Sequence, residues 1–212
     1  MAIDFKKTQV QGHTPEIWRG ECKILPAGFK PVQNFPVGTV LHRGTPLFVD
    51  FEAMTAAVCK TAKVLSGGTT TAPRVAKGHY FVVGDVVMKD GVTDKSPSIK
   101  SIDTSNGDYD VITLSAAISG LTENDTLVDA TEYAATGGGD GDDPIPAAPR
   151  YTPNMVVGAV CEFTGKGLPT IDAAYEAVVL YPSLNFPLLE DWLITPGKTC
   201  LKANPNILFI KQ

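Results

Sequence analysis

The residues of this 212-residue chain that could do chemistry are scattered rather than clustered. His13, His42 and His79 have no spacing suited to a shared metal ion. Cys22, Cys59, Cys161 and Cys200 form no CxxC pair, so zinc and thioredoxin-type chemistry have no sequence signal. Ala57-Val58 before Cys59 and Val160 before Cys161 point instead to buried apolar thiols. Asp140-Gly141-Asp142-Asp143 is dense in carboxylate, yet it lacks the alternation and distal glutamate of a calcium loop and reads as a solvated acidic segment. Gly165-Lys166-Gly167 has no P-loop frame, and Gly67-Gly68-Thr69-Thr70 has no lysine to hold a phosphate. No nucleophile elbow occurs. Asp103, Asp108 and Asp110 offer a general acid and base, but beside Asn106-Gly107 such side chains commonly bond turn amides, and that is the role expected. Lys89 reads as a turn lysine. The sequence therefore assigns no catalytic residue, cofactor or metal ligand, and the expectation is a protein that is not an enzyme.

The elements around these residues read as β. Between Gly78 and Ala130, β-rich runs at Tyr80 to Met88, Ser98 to Asp103, Asp110 to Ser115 and Thr126 to Val128 are cut by turn residues about every ten positions. That is the rhythm of a small barrel or sandwich. Upstream, Pro36 to Leu41 and Leu47 to Val49 are strand-like. Phe51 to Leu65 is ambiguous, since Phe51, Met54, Val58 and Leu65 fit helical spacing while Val58 to Val64 equally suits a strand. A short helix or turn over Glu52 to Ala57, followed by a strand, is expected. Met155 to Phe163, Ala173 to Tyr181 and Asn206 to Ile210 are strand-like, and Leu188 to Ile194 suggests a helical turn. Twenty glycines and sixteen prolines favour turns over long helices. The expected fold class is thus mainly β: a small antiparallel barrel or sandwich with an extended N-terminal arm and a short helical element.

Four segments follow: an arm over 1–35, a barrel over 36–133, a flexible Gly/Pro/Asp loop over 134–150, and a C-terminal β segment over 151–212 packed on the barrel. Within the arm, polar residues surround isolated anchors such as Ile17, Trp18, Ile24, Leu25 and Phe29. Charge is uneven. Ser101 to Pro149 holds ten acidic residues and no Lys or Arg, whereas Met1 to Lys100 holds thirteen basic and eight acidic. A solvated acidic loop face accounts for this, as do two halves facing different surroundings. The net charge of −5 argues against nucleic acid as the main partner. No run approaches the length of a membrane span and the N-terminus lacks an apolar signal core, so synthesis in the bacterial cytoplasm without a membrane is expected.

The phrases Val83-Gly84-Asp85-Val86-Val87, Ile102 through Asp110 and Asn124-Asp125-Thr126-Leu127 resemble the β-barrel of tailed-bacteriophage or prophage head proteins, the decoration and head-fibre group. The resemblance implies a structural virion component on the head surface, bound to the major capsid protein and self-associated as a homotrimer. The residues expected at capsid or subunit contacts are Ile17, Trp18, Arg19, Phe29 and Phe35. The alternative function is a carbohydrate-binding or adhesive β module of a bacterial cell. That reading needs an exposed aromatic platform, for which Trp18 and Trp192 are the only tryptophans.

Overall fold

The computed structural model describes residues 17–138, 143–167, 169–184, 186–194, 197 and 199–211. In chain order the strands are β1 (Lys23–Pro31), β2 (Val40–Leu41), β3 (Pro46–Asp50) and β4 (Thr55–Val58). Then come β5 (Thr61–Leu65), β6 (Arg74–Ala76), β7 (Val87–Lys89), β8 (Ile99–Asp103), β9 (Tyr109–Leu114) and β10 (Thr126–Asp129). The chain continues through β11 (Ala134–Gly138), β12 (Asp143–Ile145), β13 (Met155–Val157), β14 (Cys161–Glu162), β15 (Ile171–Leu180) and β16 (Ile207–Ile210). Helix among the described residues is confined to the single 3-10 turns Tyr181–Ser183 and Glu190–Trp192. The mainly β expectation holds.

Two sheets curl into rings, one nested within the sequence of the other. In the first, the order is β1-β4-β3-β13-β15, and β15 returns to β1, closing the circle. The β1–β4 pair is parallel, with Lys30 beside Thr55. The closing β1–β15 pair is antiparallel, with Lys23 opposite Glu176 and Phe29 opposite Ile171. The second half of β15 outruns the ring and takes β16 in parallel. Gly158, just after β13, is a close approach: a Cβ there would meet the Ile24 side chain at 2.8 Å. The second sheet runs β7-β10-β5-β6-β9-β8. A Val86–Ser98 bridge, with the Ile99 N–H bonded to the Asp85 carbonyl at 2.8 Å, brings β8 back to the β7 side. The chain leaves the first ring at Val58 and re-enters it at Met155.

Strand alternation fills three apolar volumes. Leu47, Val49, Met155, Val157 and Ile171 face the interior of the first ring. Val64, Val75, Val87, Ile112, Leu114 and Leu127 fill the second. Their outward neighbours Val86, Met88, Val128 and Val156 meet in a seam between the rings. There Leu188, Leu189, Trp192 and Leu193 of the C-terminal segment cover them.

Several expectations change. Lys23–Pro31, expected in a free arm, is the strand that closes the first ring. Its partner β15 lies far away in sequence, so local pattern gives no hint of the pairing. Ile17 to Arg19 also pair with β15: the Leu180 N–H bonds the Ile17 carbonyl at 2.8 Å and the Arg19 N–H bonds the Val178 carbonyl at 2.9 Å. The first part of the arm expected over 1–35, Met1 to Glu16, lies outside the described residues. Of the helix or turn expected over Glu52 to Ala57, the turn holds as far as Met54, and Thr55 to Ala57 already belong to β4. Asp50 Oδ1 accepts the Glu52 and Ala53 N–H groups, forming a turn that feeds β4. The boundary between the two rings, at Cys59-Lys60, falls inside the segment expected as one barrel over 36–133. Within the expected flexible loop, β11 and β12 pair as an antiparallel ribbon. Asp140 to Asp142 lie outside the described residues.

Candidate functional site

Two of the buried charged groups, Lys60 and Asp129, sit where the chain passes between rings. Lys60 interrupts the apolar run Ala56 to Ala62, and β4 and β5 fix it at the crossing. Its side chain is 1% exposed, and its Nζ lies 2.6 Å from Asp85 Oδ2. The same ammonium stands 5.4 Å from the centroid of the Phe35 ring. Asp85 Oδ2 also accepts the Val82 N–H at 2.8 Å, so the carboxylate closes the tight turn before β7. Asp129, at the end of β10, accepts the Arg150 Nε–H at 3.1 Å, and Arg150 Nη2 donates to the Ala130 carbonyl at 2.6 Å. Both chain crossings between the rings are thereby pinned by a charge pair. Burial pushes the Asp129 carboxyl above its ordinary range, against the pull of Arg150 and Lys60. Burial likewise pushes the Cys59 thiol well up, making it an inert apolar group.

A third buried charge lies inside the nested ring. Asp110 takes Lys77 Nζ on Oδ1 at 2.5 Å and has His79 Nε2 3.2 Å from Oδ2. His79 Nδ1 accepts the Phe81 N–H at 3.2 Å, which places the neutral ring's proton on Nε2. Burial holds the His79 pKa below its usual 6.5, outweighing the attraction of Asp110. The unfolded imidazole therefore binds its proton at a higher pH than the folded one, and acidification favours unfolding. The thermal midpoint is expected to drop between about pH 7 and about pH 5, and His79→Gln should flatten that slope. Asp129 acts in the opposite sense, because its folded carboxyl gains its proton first as pH falls. The test is therefore the difference between the wild-type and His79→Gln melting profiles; identical slopes would sink it.

The surface carries two other features. A cleft of about 310 Å³ lies against β14, lined by Lys30, Asn34, Phe35, Phe163, Thr164 and Lys166 among others. At the β3–β4 tip, Phe51 and Met54 are 53% and 49% exposed. Met54 adopts φ +53, a left-handed conformation uncommon for a residue with a Cβ. The Phe51 ring packs edge-on to Phe29 with centroids 5.8 Å apart, and Val32 is exposed beside the same strands. The tip is a fixed apolar knob.

The residues singled out from sequence do not form one surface. Phe29 is 2% exposed and belongs to the first ring's interior, which removes it from any contact face. Phe35 is half-buried against Tyr80 and Phe163. Ile17 and Trp18 pack on the seam. Arg19 is exposed at its edge. Trp192 is 2% exposed and supplies no platform for a sugar. The Asx reading holds for Asp103, whose Oδ1 accepts the Ser105 N–H, and for Asn106, which accepts the Asp108 N–H. Asp110 departs from it by turning inward. Lys89 pairs with Asp125 at 2.8 Å. Cys22, Cys161 and Cys200 are half-buried and Cys59 is buried. Among the described residues no group of three or more His, Cys, Asp or Glu side chains could hold a metal, and no helix is long and apolar enough to cross a membrane. Lys60, Asp85, Asp129 and Arg150 were not singled out; a lysine inside an apolar run was their one sequence signal. No family model matches the chain, and no curated protein or solved structure shows significant similarity to it.

Proposed function

We propose that this protein is a structural component of a tailed-phage or prophage head, held on the capsid surface and self-associated as a trimer. The observation that carries this reading is the apolar knob of Phe51 and Met54 at the β3–β4 tip, presented on a turn that Asp50 holds. Its geometry suits protein contact: large side chains, a fixed backbone and no titratable group engaged in chemistry. The buried ionisable groups pair among themselves and support the two rings. The phrase resemblance to head decoration and head-fibre proteins supplies the partner, the major capsid protein. Closed symmetric association over a repeating shell lets modest contacts sum by avidity.

Light scattering of the pure protein should report a trimer, and the protein should co-sediment with empty phage heads. Phe51→Asp with Met54→Asp should reduce self-association or head binding by roughly tenfold or more, with far-UV circular dichroism unchanged. A strict monomer that ignores heads, or a double variant that binds as tightly as wild type, would sink the reading.

A further inference from the structure

Among the described residues, Lys60 is the most deeply buried charged side chain, and its surroundings resemble a reaction centre more than a plain ion pair. A carboxyl group lies against the ammonium, with Asp85 Oδ2 at 2.6 Å from Nζ. That contact holds the nitrogen against the carboxyl, so a turn of the Asp85 side chain about its own axis would present Cγ for attack. A second carboxyl, that of Asp129, lies on the same face and is held by Arg150 Nε at 3.1 Å, so a proton reaches it from Nζ only across a short gap such as one water. Val128 pairs with Thr61, and the Asp129 N–H bonds the Lys60 carbonyl at 3.0 Å, so Asp129 is opposite Lys60 in the ladder. Opposed residues of an antiparallel pair project from the same face with Cβ atoms about 5 Å apart. The Phe35 ring lies 5.4 Å from the same nitrogen, and Lys60 is sealed from solvent.

We propose that Lys60 Nζ and Asp85 Cγ condense into an intramolecular isopeptide bond, with Asp129 as the proton relay. One proton first passes from the ammonium to the Asp85 carboxylate, leaving a neutral amine and a carboxylic acid. The amine attacks Cγ, and Asp129 accepts the proton that nitrogen sheds as the C–N bond forms. Asp129 returns that proton to the departing hydroxyl, the C–O bond breaks, and one water leaves. No oxidant or reductant is needed, and charge balances throughout. The driving force is local, because a buried ion pair carries a desolvation cost that an amide does not. Burial raises the Asp129 carboxyl's proton affinity, which suits a group that takes up and returns a proton. The product staples the start of β5 to the turn before β7, at the crossing between the rings.

The test is a tryptic digest of the denatured full-length protein read by mass spectrometry. Wild type should lose cleavage after Lys60 and yield one branched species joining the segments around Lys60 and Asp85, lighter than their sum by one water. Lys60→Arg should restore cleavage and give separate, full-mass peptides. Asp129→Asn, nearly isosteric, covers the case in which Lys60→Arg misfolds. With its circular dichroism unchanged, it should form the branched species roughly a hundredfold more slowly. Separate full-mass peptides from aged wild type would overturn the proposal. So would a water loss on the Asp85 peptide that persists in Lys60→Arg, since that loss could not come from a bond to Lys60. Linkage at an unchanged rate in Asp129→Asn would remove the relay.

Discussion

Relative to wild type in which Lys60 and Asp85 are still an unlinked ion pair, Lys60→Ala is expected to lower the free energy of unfolding by about 3–5 kcal/mol, among the largest effects of any charged-residue substitution in this chain. Lys60 is 1% exposed and Asp85 15% exposed, so removing the ammonium leaves a carboxylate with little water to replace it. The vacated stem adds a cavity at the ring crossing. Asp85 cannot swing out to solvent, because its Oδ2 also holds the Val82 N–H. Asp129 and Asp85 also repel each other, and the lysine is the cation between them. Lys60→Met combined with Asp85→Asn should cost clearly less than the two single changes summed, since neither charge is then stranded. Urea denaturation of the four proteins measures the cycle. Additive losses, or a Lys60→Ala loss under about 1 kcal/mol, would show that the pair does not act as a unit.

Much of the nested ring was legible because its signals are local. Tyr109 to Leu114 alternates half-buried and buried residues, as period-two patterning requires. Asp103 and Asn106 form the turn their types favour. The first ring was less legible because its defining contacts are distant. Lys23 meets Glu176 across 153 positions, and nothing in KILPAGFKP, with two prolines and a glycine, announces an interior strand. Ala56 and Ala57 carry helical propensity, yet β3 on one side and β1 on the other hold them extended. The apolar run around Lys60 was visible, but a lysine there says only that a carboxylate must be near. Which carboxylate depends on closure of the second ring, which brings the turn at Asp85 beside the ring crossing.

Trp192→Ala is expected to cost about 3–5 kcal/mol and to split unfolding into two steps. Trp192 is 2% exposed, on the single 3-10 turn Glu190–Trp192, and it packs in the seam rather than within either ring. Each ring has an apolar interior of its own, so the seam is what makes the two unfold together. Removing the largest side chain there leaves Val86, Met88 and Val128 on one wall and Val156 and Val179 on the other without a filling group. The indole Nε1 has no hydrogen-bond partner among the described residues, which already costs something. Trp192→Phe should therefore lose much less than Trp192→Ala, because it removes a stranded N–H while keeping most of the apolar volume. Thermal melts followed by far-UV circular dichroism and by calorimetry should agree on a single transition for wild type and for Trp192→Phe. Trp192→Ala should melt earlier with two resolved components. A single transition shifted by less than about 1 kcal/mol would mean that the two rings are coupled by the paired crossings at Lys60 and Asp129, not by the indole.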